Sequence, residues 1–222
     1  MHGLNLKHVS DMTTLVKLGP AGKSSSNSCT AWDETRKITH ILISYETAGS
    51  SSTRNIGCIR SLQFHYQAGG VRGNSPVYGK HDSDSKCFTM VYSYFQLFLL
   101  VKCNSIIIGT DCITCSINFN NKTLIRLMLQ IKLDGASEYI TGLNGRIWCE
   151  EYPDEKWISL LTIETNKRKY GPFGNSPRLL NRDPEFNFQF GPSNQFGGFH
   201  STFGNPGSRF TRLTSIGVYV KP

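Results

Sequence analysis

The 222-residue sequence is poor in charge: only 18% of its residues are Asp, Glu, Lys or Arg. It also lacks an apolar run long enough to cross a bilayer. Spanning takes about 20 residues, whereas the longest such stretch, Phe88 to Val101, has 14 residues and contains Ser93 and Gln96. The first twenty residues carry Lys7, Asp11 and Lys17 and hold no continuous apolar core, so no secretory leader is read there. A soluble, cytoplasmic protein is the expectation. The cysteine count of seven is odd, which argues against a complete disulfide framework. A nucleotide loop is missing too. Gly22-Lys23-Ser24 would need a glycine at position 17, where Lys17 stands, and a helix after it, where the chain is Ser-rich and then reads Trp32-Asp33. No Ser, His and Asp arrangement has a context for nucleophilic catalysis.

What the sequence does hold is glycine, 21 residues of it, which with the low charge suits a β protein of many tight turns better than a helical bundle. The net charge of +8 permits an anionic partner. The one dense basic run, Lys167-Arg168-Lys169, sits between a strand pattern and a Tyr-Gly-Pro turn, where a solvated hairpin tip explains it. Neither nucleic acid nor membrane is therefore expected as a partner.

Strand periodicity is the most informative feature. Ile38, Ile41, Ile43 and Tyr45 form one pattern; Ile59, Leu62, Phe64 and Tyr66 repeat it, as do Ile158, Leu161, Ile163 and Thr165. Each is an apolar residue, a gap of three, then alternation. Such spacing suits a strand that enters through a bulge and then turns one face inward. Three copies point to an all-β fold with pseudo-threefold symmetry. The C-terminal stretch ends as another strand, with Ile216, Val218 and Val220 on one face. The loop before it is rich in Gly, Ser, Asn and Pro, and its rim, Phe210 to Thr214, is expected to touch a ligand.

Several pieces resemble one family. They are Gly19-Pro20-Ala21-Gly22, Trp32-Asp33, the first two strand patterns, Glu138-Tyr139-Ile140 and Gly142 to Gly145. Further on come Ile163 to Gly174 with its Thr-Asn and Tyr-Gly-Pro-Phe-Gly, Gly198-Phe199-His200, and Ile216 to Val220. Over about 17 to 86 and 131 to 222 the chain is similar to the jacalin-related lectins of plants. The resemblance implies a β-prism of three four-stranded Greek-key sheets that binds mannose, glucose or galactose without metal, cofactor or catalysis. It also implies a carbohydrate site of three parts: the first-loop Gly22; a middle loop with Leu143 and Asn144 at its tip; and a stretch before the last strand supplying Thr211, Arg212 and Thr214. In that stretch the family has Leu-Asp-Ala-Ile-Gly and this chain has Leu213-Thr214-Ser215-Ile216-Gly217, so a threonine replaces the family's carboxylate. Phe210 replaces its glycine. A carboxylate accepts two hydroxyl hydrogen bonds, each worth about 1.5–3 kcal/mol, against about 1 for a neutral acceptor.

Residues 87 to 130 do not share the resemblance. These 44 residues hold one glycine, Gly109, and no proline, while the other 178 hold 20 Gly and all nine Pro. An insertion is the expectation, in the form of a translated intron, with residues 1 to 15 an N-terminal extension and 16 to 222 the interrupted domain. Within the insertion Cys112 and Cys115 form a Cys-x-x-Cys. The upstream pair, Cys87 and Cys103, is not spaced for zinc, and no redox βαβ context surrounds it. Glu150, Glu151 and Asp154 lie near Trp148 and Trp157 and read as a solvated turn rather than a glycosidase pair. His200 reads as a loop brace. The expected function is therefore metal-independent binding of mannose-type glycans or glycoproteins, with a homo-oligomer compatible. The alternative is a degenerate lectin fold serving as a protein-interaction or stress-response scaffold.

Overall fold

A computed structural model of the chain describes residues 15–23, 29–33, 37–47, 57–68, 70–79, 105–108, 112–119, 122–134, 137–149, 156–174, 183–193, 195–204 and 212–222. Its regular structure there is all strand, in three antiparallel sheets. The first sheet runs in the order β1 (Val16–Gly22), β15 (Arg212–Val220), β14 (Phe196–Gly204) and β2 (Cys29–Asp33). The second runs β12 (Lys169–Gly174), β11 (Lys156–Thr165), β10 (Ile140–Cys149) and β13 (Glu185–Gln189).

The third sheet has seven strands rather than the expected four. Its path is β5 (Val71–Asn74), β4 (Cys58–Ala68), β3 (Lys37–Thr47), β9 (Lys122–Lys132), β8 (Cys112–Phe119) and β7 (Ser105–Ile108), with β6 (Tyr78–Gly79) also paired to β4. The extra strands come from the region set apart by composition. β9 lies along β3 from Thr47↔Ile125 to His40↔Lys132, and β8 and β7 continue outward. Cys112 and Cys115 both fall on β8. Cys87, Cys103 and Phe88 to Val101 lie outside the described residues, as does the extension up to residue 14.

The apolar pattern maps onto the core. Ile38, Ile41, Ile43 and Tyr45 are buried, as are Ile59, Leu62 and Phe64, and Ile158, Leu161 and Ile163. The gap of three is a bulge in every case. Thr39 has no partner between Ile38↔Tyr66 and His40↔His65; Arg60 is skipped between Ile59↔Tyr45 and Ser61↔Ser44; Ser159 is skipped between Ile158↔Ile147 and Leu160↔Arg146. One unpaired residue restores the inward face to the strand, which is why the alternation slips by one.

A fourth copy runs along β15: Leu213, Ile216 and Val218 are fully buried, and Thr214 is the bulged residue between Ser215↔Thr202 and Leu213↔Phe203. This copy, not the one on β3, completes the symmetric set. β4, β11 and β15 pack against one another across the middle of the molecule. Their equivalent positions, Ile59, Ile158 and Leu213, then Leu62, Leu161 and Ile216, then Phe64, Ile163 and Val218, all belong to one core at 3% exposure or less. Each aliphatic side chain so buried contributes about 1.5–3 kcal/mol, so these positions anchor the prism.

Candidate functional site

At one end of the prism each sheet presents a glycine against a bulge. Gly22 of β1, Gly79 of β6 and Gly174 of β12 have φ of +92°, +97° and +94°. A Cβ on them would lie 2.2 Å from the Thr214 carbonyl oxygen, 2.3 Å from that of Arg60 and 2.1 Å from that of Ser159. Only glycine tolerates both the left-handed backbone and the close approach. The three corners share a backbone, and their side chains set them apart.

At the first corner, Gly22 pairs with Ser215, and the Lys23 amide donates to the Thr214 carbonyl at 3.0 Å. Thr214 is half-buried, and its hydroxyl donates to the Thr202 carbonyl at 3.0 Å. The residue standing in for the family's acid thus spends its proton on the neighbouring strand and keeps only lone pairs for a ligand. Arg212, two residues earlier, lays its guanidinium 4.2 Å from the centroid of the Trp157 ring, a cation–π contact that holds it at the same end. Trp157 in turn lies across from Trp148, with ring centroids 6.3 Å apart, and both indoles are buried.

The adjoining corner is filled from within. Arg60, 2% exposed, sets its Nε 3.3 Å from a Glu46 carboxylate oxygen, and the Cys58 thiol faces the other oxygen at 3.7 Å. Burial, with Glu46 beside it, pushes the Cys58 thiol up to about 12, so it is no nucleophile. His200 braces the first corner from below. It is 2% exposed, its Nε2 is 2.9 Å from the Leu18 carbonyl, and its ring meets Tyr219 edge-on at 5.2 Å. It thereby clamps β1 onto β14 at the irregularity between Leu18 and Ala21.

The predicted site residues separate. Gly22, Arg212 and Thr214 are brought together at this end. Thr211 and Phe210 lie outside the described residues, as do Glu150, Glu151 and Asp154 in the connection from β10 to β11. Leu143 and Asn144 are not at a loop tip. Both lie inside β10, Leu143 fully buried in the core opposite Ile163. Asn144 is four residues from Trp148, about 13 Å along the strand at 3.3 Å per residue. The Gly142–Gly145 run reads as a turn in sequence. In the sheet Gly145 leaves room for the ring of Phe186, which a Cβ would meet at 2.7 Å. Asn144 instead joins the outer face of the second sheet, where its amide donates to Glu164 at 2.7 Å.

Sequence reasoning missed Trp157, Glu46 and Arg60, and the corner glycines Gly79 and Gly174. The available signal was the fourth apolar pattern on β15, which places Thr214 at the same bulge as Arg60 and Ser159. Among the described residues no group of three or more His, Cys, Asp or Glu is placed to hold a metal.

Comparison with known proteins agrees with this geometry. The model of the jacalin-like lectin domain matches residues 102–219, more than half of the chain. Protein RESTRICTED TEV MOVEMENT 1 of Arabidopsis thaliana is 39% identical over 92 residues, 41% of this chain and 48% of that protein. Jacalin-related lectin 24 of the same plant is 38% identical over 90 residues, 38% of this chain and 36% of the relative. The chain thus spans about half or less of the length of the curated relatives it matches. Among solved structures, a mannose-specific jacalin-related lectin from Morus nigra in complex with mannose superposes with a TM-score of 0.53 at 17% identity, covering 97% of this chain and 100% of that one. At that identity the likeness bears on the fold alone.

Proposed function

Because this chain belongs to the jacalin-like lectin family, we propose that it binds mannose- or glucose-type glycans at the Gly22–Thr214 corner, by recognition rather than turnover. The observation that carries the proposal is that Thr214, alone of the three bulged residues, is half-exposed, with Arg212 held beside it on Trp157. A ligand there meets exposed backbone, the lone pairs of Thr214 and a guanidinium. All are neutral or donating groups that suit sugar hydroxyls. Without a carboxylate the site is weak: losing about 1–2 kcal/mol from a small-ligand affinity near the millimolar range, about −4 kcal/mol, leaves little for a single sugar. Binding then depends on presenting several sugars at once. A glycan array with mannose competition tests this: specific, sugar-competed signal is expected.

A second reading has its own observation. The Thr214 hydroxyl is already committed to Thr202, which favours a lectin fold used as a protein-interaction scaffold. Silence on the array at high protein concentration supports that reading and removes the first.

The interruption at 87–130 is likewise a proposal. Its composition supports it, while the pairing of β9 with β3 and the family match from residue 102 speak for a shorter interruption. Transcript sequence containing all 44 codons of the segment ends the intron form of the idea.

A further inference from the structure

The outer face of the second sheet bears a groove of about 390 Å³, away from the corner just described. That size falls in the range of about 300–1,000 Å³ found for ligand pockets. Two cross-strand rows define it. Glu164 anchors one, accepting from Asn144 at 2.7 Å, Lys169 at 2.7 Å and Gln189 at 3.0 Å. The hydrogen bond from Lys169 leads in holding its carboxyl below the usual carboxylate range, so it is an anion at neutral pH. Arg146 pairs with Glu185 in the other row. Both charges of each sign are thus matched within the groove, although the chain as a whole carries +8. Thr162 lies between the rows, opposite Asn144. The floor offers Leu160, and Pro172 stands at the rim.

We infer that this groove is a second carbohydrate site, fitted to a neutral oligosaccharide lying across the strands. The choice of ligand class rests on the lectin reading above; the location does not. The chemistry points to a ligand with many hydroxyls and no charge. An anion would face Glu164 and Glu185, and a cation would face Lys169 and Arg146. Hydroxyls can both donate to the fixed carboxylate and accept from the amides and Thr162, while a sugar's C–H face covers Leu160 and Pro172. The side chains are already tied together, so little rotamer freedom is lost on binding. Thr162 is five residues along β11 from Trp157, about 17 Å at 3.3 Å per residue, so one sugar ring cannot occupy both places.

The test is backbone NMR of the full chain titrated with mannose and with mannotriose. Saturable shifts are expected at Asn144, Thr162 and Asn187 with the trisaccharide. Thr162→Trp, which fills the groove, should weaken them at least about tenfold. Should that variant fail to fold, Asn187→Leu on the exposed edge strand serves in its place, with the same result expected. Shifts confined to residues around Gly22 and Thr214 overturn the groove and leave the corner standing. Shifts confined to the groove overturn the corner and keep this site. An unchanged affinity in the folded variant, or no shift at either place, overturns the groove.

Discussion

The Thr214, Arg60 and Ser159 corners are three copies of one backbone with three different fillings. In each, a left-handed glycine presses on the carbonyl of a bulged residue. Ser159 is fully buried and returns its hydroxyl to the Arg146 carbonyl at 3.2 Å, just as Thr214 does to Thr202. Arg60 fills its corner with an ion pair to Glu46. Of the three, only Thr214 is half-exposed, beside the half-buried Arg212. The glycine–bulge geometry is therefore structural wherever it occurs. What makes one corner a candidate site is that, among the described residues, its bulged side chain is only half-buried.

The largest effect that tests this contrast is at the closed corner. Glu46→Gln removes the charge of the buried Arg60–Glu46 pair and should cost about 3–5 kcal/mol of stability, read by denaturant unfolding. A loss below 1 kcal/mol would mean that the corner is wetter than its burial indicates. Next come the glycines. Gly22→Ala and Gly174→Ala force the same backbone strain and should each destabilise by about 1–3 kcal/mol. Sugar binding should vanish in the first and persist in the second. Equal effects on binding would show that the corners are not functionally distinct.

Smaller still is the effect of restoring charge. Thr214→Asp exchanges a neutral acceptor for a carboxylate, a difference of about 1–2 kcal/mol, and should raise mannose affinity about tenfold by calorimetry. No change would place the ligand elsewhere.

The mildest test is acidification. Burial leads in lowering the pKa of His200 below its ordinary 6.5, and likewise those of His40 and His65, whose rings lie 5.5 Å apart. Below pH 6.5 the unfolded chain binds more protons than the folded one. Stability is then full above 6.5 and falls as pH drops from there towards the folded pKa values. His200→Gln, which keeps a donor for Leu18, should flatten part of that slope in thermal melts followed against pH. An unaltered slope would remove His200 from the account.

Much of the fold was legible. The gap of three in Ile158-x-x-Leu161 marks the Ser159 bulge, and Gly22 and Thr214 meet as the family resemblance implies. His200, read as a loop brace, instead holds the strand β1 through the Leu18 carbonyl. Legibility failed where a residue's role depends on strands distant in sequence. Glycines 142 and 145 look like turn residues, yet they sit within β10 because side chains from β13 pack over them. The family resemblance puts Leu143 at a loop tip, although its alternation with Gly145 and Ile147 marks it as core.

The sequence by itself determined the strands, their bulges and their inward faces, because period-two burial and the cost of burying polar groups act over neighbouring residues. Which bulges stack around the axis, and that β15 rather than β3 completes the set, was decided only by tertiary pairing. So was the division of the site residues: Thr214 faces Gly22 across nearly the whole chain, and Asn144 meets Glu164 on another sheet. Register between paired strands sets both contacts, and no local pattern carries that register.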